Sequence, residues 1–345
     1  MSGTTTVPAS LLRTRELLQP ALRRFADGLS PELRTVVAYH LGFVDRDGRP
    51  AAGDGGKAIR PTLAFLSAQA VGSDAEVAMP GALAVELVHN FSLLHDDVMD
   101  RDLERRHRPT AWALFGVGQA IVTGDALLVL AQQVLLDPPS PERGRASAAL
   151  TRATARMIAG QAEDLSFESR LDVSVEECLA MCANKTGALL SYAASVGAIL
   201  AGADEAAVTA LEKFGLHLGL AFQAVDDTLG IWGRPEVTGK PVAGDLRAHK
   251  KTLPVVAALA AMSEASPLAA EGERLAQLLS DGHLTEDQVM TAVSLVELGG
   301  GRERCMAVAD RELHLALASL DAFALEPAAR SELAELARFV TARDF

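Results

Sequence analysis

Two apolar runs of this sequence each end in a pair of aspartates. The first run, residues 83–95, has no glycine or proline to interrupt a helix and leads into Asp96-Asp97-Val98-Met99-Asp100. The second run, residues 216–225, leads into Asp226-Asp227-Thr228-Leu229-Gly230. Because a core helix seldom buries carboxylates without compensation, both runs predict buried helices that carry negative charge to a site containing cations.

The spacing of the first cluster predicts where its carboxylates point. Since a helix turns by about 100° per residue, Asp96 and Asp100 should project from one face, about 6 Å apart, while Asp97 points to the side. Two stacked carboxylates repel each other, and their hard oxygen ligands favour Mg²⁺, which keeps waters and is completed by substrate phosphates. A solvated acidic helix end is the alternative for one such cluster alone, and the second cluster argues against it.

Basic residues lie close to both clusters in the sequence. They fall into three groups: Gly55-Gly56-Lys57-Ala58-Ile59-Arg60-Pro61 before the first cluster, Arg105-Arg106-His107-Arg108 after it, and Lys240, Arg247, Lys250 and Lys251 after the second. Lysine and arginine bind an oxyanion as a point charge and a planar fork, and glycines allow close backbone approach. Each cation alone would be a solvated surface charge, so the prediction of a phosphorylated substrate depends on the whole constellation. The glycine-rich turn lacks the spacing of a P-loop.

These segments resemble the trans-isoprenyl diphosphate synthases, also called polyprenyl synthetases, and among them the short-chain geranylgeranyl diphosphate synthases. The matching elements are the turn from Gly55 to Pro61, the first aspartate cluster with its upstream His89, Arg105 to Thr110, Gln161 with Asp164, Lys185-Thr186, Phe222 to Asp227, Gly239 to Pro241, and Asp245 to Pro254. Five of these elements, namely the first three, Lys185-Thr186 and Phe222 to Asp227, follow one another in the family's order, and five such motifs rarely coincide by chance. In the third element His107 stands where the family usually has glycine.

The resemblance implies Mg²⁺-dependent condensation of isopentenyl diphosphate with an allylic diphosphate, which is dimethylallyl, geranyl or farnesyl diphosphate. It implies that Asp96, Asp100 and Asp226 bind metal, expected as three Mg²⁺ ions, with Asp97 and Asp227 behind them. The residues implied for isopentenyl diphosphate are Lys57, Arg60, His89 and Arg106. Those implied for the allylic diphosphate are Arg105, Lys185, Gln223, Lys240 and Lys250. Lys185, through its carbonyl group, and Thr186 are expected to stabilise the allylic cation.

Product length is expected to depend on the residues four and five positions before the first motif aspartate, which are Ser92 and Phe91. One aromatic residue beside a small one resembles the synthases that make geranylgeranyl diphosphate, with farnesyl and then longer products as alternatives. Helical geometry places Ser92 directly beneath Asp96, so Phe91 could instead pack into the core.

Gly230 departs from the family, whose second motif usually ends in a third aspartate. Three outcomes compete: an active synthase that relies on Asp226 with water and Asp227, a class I terpene cyclase, and a non-catalytic partner subunit. A cyclase would normally carry an N-D-x-x-S-x-x-x-E triad, which is missing around Asp226, and an inert subunit should have lost basic residues that remain here. The sequence therefore favours the synthase.

Helical periodicity recurs along most of the chain and aromatic residues make up only 4% of it, so the predicted fold class is all-α. The resemblance specifies an isoprenoid-synthase-type bundle of ten or more helices around a central cavity. No Ser/Gly-rich linker divides the 345 residues, which predicts one domain over residues 1–345 with residues 1–10 disordered. The family also implies a homodimer.

Bulk properties exclude some partners. A net charge of −13 argues against nucleic acid, since a duplex binder normally has a basic face. The N-terminus lacks a basic region followed by an apolar core, and no 18 uninterrupted apolar residues occur, so a cytoplasmic protein without a transmembrane segment is expected. Cys178, Cys182 and Cys305 are expected to pack in the core of a protein from a reduced compartment.

Overall fold

The computed structural model describes residues 7–51, 56–234, 242–263, 266–280 and 282–342. The predicted substrate residue Lys240 lies outside these ranges, as do Gly55 and residues 1–6. The first helix begins at Ala9, so the last two of the ten N-terminal residues expected to be disordered are helical.

Helices account for nearly all of the regular structure. In chain order they are α1 (Ala9–Asp27), α2 (Pro31–His40), α3 (Ile59–Ala70), α4 (Met79–Met99), α5 (Ala111–Phe115), α6 (Val117–Leu136), α7 (Pro141–Phe167), α8 (Val175–Cys182), α9 (Ala188–Leu200), α10 (Glu205–Trp232), α11 (Gly244–Arg247), α12 (Leu253–Ala261), α13 (Ala269–Ser280), α14 (Glu286–Leu298), α15 (Gly301–Ser319) and α16 (Pro327–Thr341). The predicted all-α class is confirmed.

Three short elements interrupt this pattern in the described ranges. A 3₁₀ turn, Ala75–Ala78, precedes α4, and a π-helical turn, Ala183–Gly187, joins α8 to α9. The third element is a hairpin in which β1 (Glu104–Arg105) pairs antiparallel with β2 (Arg108–Pro109). The hairpin and the π-helical turn both carry residues that the sequence assigns to substrate binding.

The contacts within the chain define two compact units, each assembled from separated stretches. Unit 1 comprises residues 1–154, 189–212 and 320–336, and unit 2 comprises residues 155–188, 213–319 and 337–345. No single point in the sequence separates them, and the one-domain organisation stays a prediction.

Helix α4, which ends at the first aspartate cluster, lies in the core of unit 1. Leu87 and Leu94 on α4 are fully buried. Nearby, α3 and α9 cross with their backbones in contact: the Gly197 N–H donates to Ser67 Oγ at 2.9 Å, and a Cβ at Gly197 would lie 2.1 Å from the Ala64 carbonyl oxygen. Only glycine permits this close approach.

Unit 2 surrounds the last turns of α10, which carry the second aspartate cluster. Val225 and Leu229 of α10 pack in an apolar core together with Cys178, Cys182 and Cys305. All three cysteines are buried and free, so their predicted role in core packing is confirmed.

Two helical segments have the length and composition of a membrane span. Residues 75–99 have a mean hydropathy of 1.4 and are 67% buried within the protein, while α6 has a mean hydropathy of 1.5 and is 33% buried. The buried segment matches the behaviour of a core helix. Only about a third of the corresponding window of α6 is buried inside the protein.

Candidate functional site

The first aspartate cluster lies at the C-terminus of α4. Asp96 lies in the last turn and Asp100 caps the helix, donating its backbone N–H to the Asp96 carbonyl oxygen at 2.8 Å. This bond fixes the two residues one turn apart, as the sequence predicts. Both are half-buried, so their carboxylates remain within reach of a ligand.

Asp97 differs from its neighbours because it is buried, with only 1% of its surface exposed. Its Oδ1 accepts from both Nε and Nη2 of Arg105, each at 2.7 Å. A carboxylate held in this way can ionise while buried, and it fixes the orientation of the guanidinium in return. Asp97 therefore positions Arg105, one of the predicted diphosphate ligands.

The hairpin places Arg106 at the tip of a two-residue turn. Arg106 and His107 have φ values of 53° and 59°, the left-handed backbone that a two-residue type I′ hairpin turn needs at both central positions. This explains why the family usually has glycine at the position of His107. Histidine is among the residues that tolerate left-handed backbone, which allows it to replace glycine here.

Several contacts hold this hairpin against α2 and the loop that follows α2. The Tyr39 hydroxyl donates to the Pro109 carbonyl oxygen at 2.7 Å. The Arg108 guanidinium lies 4.3 Å from the centre of the Tyr39 ring and donates to the Val44 carbonyl oxygen at 2.8 Å. Arg105, Arg106 and Arg108 line one pocket together with His40 and Asp97, so the hairpin forms one wall of a basic pocket.

The glycine-rich turn contacts the tip of the hairpin. Gly56 has a φ of 92°, and a Cβ at this position would lie 2.7 Å from Nη2 of Arg106. The Gly56 carbonyl oxygen accepts from Arg15 Nη2 at 3.1 Å. The backbone angle therefore favours glycine at position 56, and the absence of a side chain there leaves room for the guanidinium of Arg106.

His89 lies among the predicted cations of unit 1. Burial, followed by the positive charges of Arg60, Arg106 and Arg105, lowers the pKa of His89 well below its ordinary value. The imidazole is therefore neutral at physiological pH and can donate one N–H to an anion, while the arginines supply the charge. This part of the predicted isopentenyl site is assembled within unit 1.

Two further polar residues, His40 and Glu86, adjoin this cation cluster, and the sequence analysis did not identify them. His40 has its pKa lowered to about 3 by burial and by the charges of Arg105 and Arg106. Glu86 is buried, and burial raises its pKa while the charge of Arg60 acts in the opposite direction; Asn90 Nδ2 lies 3.2 Å from Glu86 Oε1. The only sequence signal for them is their polar character within apolar runs, which any core polar residue shares.

The two residues assigned to product length have different environments. Phe91 is buried, with 7% of its surface exposed, and its ring meets that of His95 edge to face with centroids 4.8 Å apart. Ser92 is half-buried, and its hydroxyl donates to the His89 carbonyl oxygen at 2.9 Å. A small side chain thus lies one helical turn before Asp96, while the aromatic ring of Phe91 packs against His95.

The second cluster follows the same arrangement as the first, since its second aspartate is the buried one. Asp227 is 5% exposed, and its two carboxylate oxygens accept from Gln223 Nε2 at 2.7 Å and from the Leu253 N–H at 3.0 Å. Gln223 Oε1 in turn accepts from the Thr186 hydroxyl at 2.6 Å. Unit 2 therefore brings together Thr186, Gln223 and Asp227 as the sequence predicts, and leaves Asp226 as the half-buried member of the pair.

Lys185 lies in the π-helical turn, a rare element that is frequent at functional sites. Its ammonium group donates to Asp164 Oδ2 at 2.5 Å. A Cβ at Gly160 would lie 2.3 Å from the Lys185 backbone nitrogen, so α7 packs directly against this turn. Both polar atoms of the Gln161 side chain are buried without a hydrogen-bond partner in the described ranges, an arrangement that a polar ligand would relieve.

The acidic residues fit Mg²⁺ by the chemistry of their donors. Carboxylate oxygens are the protein ligands that this hard cation prefers. Within the described part of the chain, no three His, Cys, Asp or Glu side chains form a group that could hold a metal ion. Mg²⁺ would therefore draw its remaining ligands from water and from a substrate diphosphate, which is its usual behaviour in phosphate-binding enzymes.

Known proteins resemble this chain over most of its length. Residues 49–296 match a family model described as polyprenyl synthetase. The (2E,6E)-farnesyl diphosphate synthase of Mycobacterium tuberculosis is 50% identical over 332 residues, which cover 95% of this chain and 91% of that protein. The geranylgeranyl diphosphate synthase of the same organism is 44% identical over 313 residues, which cover 90% of this chain and 88% of that protein.

A solved structure shares the fold. The polyprenyl synthase from Caulobacter crescentus CB15, complexed with calcium and isoprenyl diphosphate, is similar with a TM-score of 0.82 and 29% identity. The similarity covers 98% of this chain and 99% of that one. The predicted fold type is confirmed by this likeness.

Replacing His107 tests the turn that carries Arg106. His107→Gly should raise the free energy of unfolding by about 1 kcal/mol, because a side chain in left-handed backbone costs roughly 1–2 kcal/mol. His107→Val should lower it by about 1 kcal/mol or more, since a β-branched residue fits that backbone worst. Urea denaturation followed by circular dichroism measures both effects.

The matched control is His283→Val, which makes the same change at an exposed loop residue outside the set with positive φ. It should alter the stability by less than about 0.5 kcal/mol. Equal stability of His107→Val and wild type would show that the turn is not constrained as described.

Proposed function

Because the chain belongs to the polyprenyl synthetase family and is a prenyltransferase, we propose that it condenses isopentenyl diphosphate head to tail with an allylic diphosphate. The observation that carries the proposal is the cation cluster of unit 1. Arg105 and Arg106 line one basic pocket, and the positive charges of Arg60, Arg106 and Arg105 lower the pKa of the nearby His89. So much positive charge around one part-buried neutral imidazole suits a ligand with several negative charges. A diphosphate has that charge and the oxygens to match the guanidinium forks.

The proposed isopentenyl diphosphate site consists of Lys57, Arg60, His89 and Arg106. The contact between Gly56 and Arg106 supports it, because it joins the two sequence elements that carry these cations. The neutral His89 would donate a hydrogen bond without adding to the repulsion among the arginines.

The proposed allylic diphosphate ligands are Arg105, Lys185, Gln223, Lys240 and Lys250, with Asp96, Asp100 and Asp226 as ligands of three Mg²⁺ ions. When bound, Mg²⁺ would neutralise the negative charge that develops on the departing pyrophosphate. Arg105 would act on the same charge, and its ion pair with Asp97 holds it in place before substrate arrives. Binding of calcium and isoprenyl diphosphate by the similar Caulobacter crescentus structure supports this assignment.

In the proposed reaction the allylic C–O bond breaks and pyrophosphate leaves with the electron pair. The double bond of isopentenyl diphosphate attacks the resulting allylic cation, and a carbon–carbon bond forms. The proton lost from the new cation passes to pyrophosphate, so no strong protein base is needed. Lys185, through its carbonyl, and Thr186 would stabilise the allylic cation by their dipoles, and the hydrogen bond from Thr186 to Gln223 orients the hydroxyl oxygen for that role.

We propose geranylgeranyl diphosphate as the product, with farnesyl diphosphate as the alternative. The small Ser92 beneath Asp96 favours the longer product, because it leaves room along that face of α4. The higher identity to the farnesyl synthase of Mycobacterium tuberculosis favours the shorter one. The terpene cyclase and the inert subunit are two further alternatives that the product assay separates.

The first experiment measures the extracted product after incubation with isopentenyl diphosphate, Mg²⁺ and each allylic primer. Asp96→Ala combined with Asp100→Ala should lower turnover by at least about 1,000-fold, since it removes two proposed ligands of the Mg²⁺ ions that would neutralise the charge on the leaving group. The helical circular dichroism should stay unchanged. Asp74→Ala with Glu76→Ala is the control, because it removes two exposed carboxylates of unit 1 away from the site.

Near wild-type turnover of the Asp96 and Asp100 double variant would show that the cluster is a surface feature without a role in the reaction. A wild type that elongates no primer would refute the synthase. Formation of a cyclic hydrocarbon from geranylgeranyl diphosphate would establish the cyclase instead.

A second experiment concerns product length. Phe91→Ala should lengthen the product by one or more five-carbon units, because it removes a bulky ring five residues before Asp96. The reciprocal Ser92→Phe should shorten it. Phe65→Ala is the matched control, since it removes another buried ring from unit 1 at a similar cost of about 3–5 kcal/mol. Unchanged products from both Phe91→Ala and Ser92→Phe would place the limit on the tail elsewhere.

We also propose that the protein is a cytoplasmic homodimer in which α6 meets α6 of a second copy. Val122 and Val129, one face of α6 seven residues apart, are 56% and 67% exposed. A long apolar helix with so little cover is unusual for a monomer and typical of an interface.

Sedimentation should report a dimer for the wild type and a monomer for Val122→Asp combined with Val129→Asp, because buried unpaired charges oppose association. Met290→Asp, at an equally exposed apolar residue of α14, should remain dimeric. A monomeric wild type, or a dimeric double variant, would contradict the proposed interface.

A further inference from the structure

His95 immediately precedes the first aspartate cluster and lies one helical turn after Phe91, on the same side of α4. The rings of Phe91 and His95 meet edge to face, with centroids 4.8 Å apart and an angle of 69° between their planes. Phe91 is buried, whereas His95 is half-buried. The imidazole therefore borders the residue that the proposed function assigns to product length.

Helix α6 holds this imidazole in place. His95 Nε2 lies 3.1 Å from the Ile121 carbonyl oxygen and 3.7 Å from Asp125 Oδ1. Because a carbonyl oxygen can only accept a hydrogen bond, Nε2 carries the proton and donates it to Ile121. Ile121 and Asp125 are one helical turn apart, so both contacts come from the same face of α6.

Gly124 makes room on α6 for the imidazole. This glycine is buried, and a Cβ at its position would lie 2.4 Å from His95 Nε2 and 2.5 Å from His95 Cδ2. Carbon atoms do not approach a ring this closely, so any larger residue at position 124 would displace the imidazole. The ring of His95 thus occupies the space that a side chain on α6 would otherwise take.

These contacts form a continuous chain from α6 to Phe91. Gly124 admits the imidazole, the Ile121 carbonyl oxygen orients it, and its ring restrains that of Phe91. A side chain in a closely packed interior keeps its rotamer while its neighbours stay in place. Loss of the imidazole would open space beside Phe91 and free the phenyl ring to turn.

We propose that His95 is a positioning residue for Phe91 and so contributes to product length, with α6 acting on that length through Gly124. This rests on the proposed function, in which Phe91 limits the growth of the prenyl chain. His95 acts on specificity through Phe91, separately from any effect on the neighbouring Asp96. A growing chain that pushes against Phe91 therefore meets resistance from α6 as well as from α4.

The test measures the chain lengths of the products made from isopentenyl diphosphate with Mg²⁺ and geranyl diphosphate as the primer. His95→Ala should raise the ratio of longer product to wild-type product by about 2- to 10-fold, the range set by the strength of one edge-to-face ring contact. Phe91→Ala with His95→Ala should give the same ratio as Phe91→Ala alone, because no phenyl ring remains to be restrained. His314→Ala, at an exposed histidine of α15, is the matched control and should leave the ratio unchanged.

Gly124→Ala tests the same chain of contacts from α6. Its Cβ takes the place of the imidazole, so the product ratio should shift in the otherwise wild-type protein and stay constant in the Phe91→Ala background. Gly144→Ala is the control, because this exposed glycine of α7 has no other described group within 4 Å of an added Cβ. Helical circular dichroism verifies the fold of each variant. The Gly124→Ala comparison decides the matter if His95→Ala does not fold.

Unchanged product ratios in both His95→Ala and Gly124→Ala would overturn the inference. So would a further shift when His95→Ala is added to Phe91→Ala, because His95 would then act independently of Phe91. A lower turnover with unchanged product lengths would also overturn it and would assign His95 to Asp96 alone.

The outcomes also separate this inference from the proposed function. A wild type that elongates no primer would refute the synthase, and this inference with it. A synthase whose product lengthens in Phe91→Ala but not in His95→Ala or Gly124→Ala would refute the role of His95 alone. A Phe91→Ala product of wild-type length would overturn the role of both rings and leave the synthase standing.

Discussion

Negative charge at the ends of buried helices is the constraint on which the rest of the structure depends. Helices α4 and α10 are apolar enough to be buried. Each carries a pair of aspartates near its C-terminus, and buried carboxylates need hydrogen-bond or charged partners. In each aspartate pair the second residue solves this problem inside the protein: Asp97 binds Arg105, and Asp227 binds Gln223 and Leu253. The first residue of each pair is left half-buried, where a cation can reach it.

The buried aspartate of the first pair also orients a basic residue of the candidate site. The guanidinium of Arg105 is fixed by Asp97, and the hairpin that follows is fixed by Tyr39 and Val44. Arg106 lies in the turn of this hairpin, where the backbone is left-handed. Left-handed backbone at a residue other than glycine is strained, and it persists only where the surrounding contacts determine the conformation. Such strain is common at ligand-binding sites.

Packing within unit 2 also determines the surroundings of Gly230. The carboxyl group of Asp245 lies against this glycine, because a Cβ at position 230 would lie 1.9 Å from Asp245 Oδ2. Asp245 belongs to α11, whose Leu246 is buried in an apolar core together with Ile231. The second motif therefore contacts a segment that follows it in the sequence.

The sequence alone determined the helices, the aspartates at their ends and most of the cations that accompany them, because helical periodicity and i,i+4 spacing are local properties. The sequence does not predict the turn at Arg106 and His107, because histidine replaces the glycine that would mark left-handed backbone there. Only the tertiary structure decided that Glu86 and His40 lie behind the cation cluster and that Asp245 meets Gly230. Those contacts join segments far apart in sequence, so they depend on how the helices pack, which no local pattern encodes.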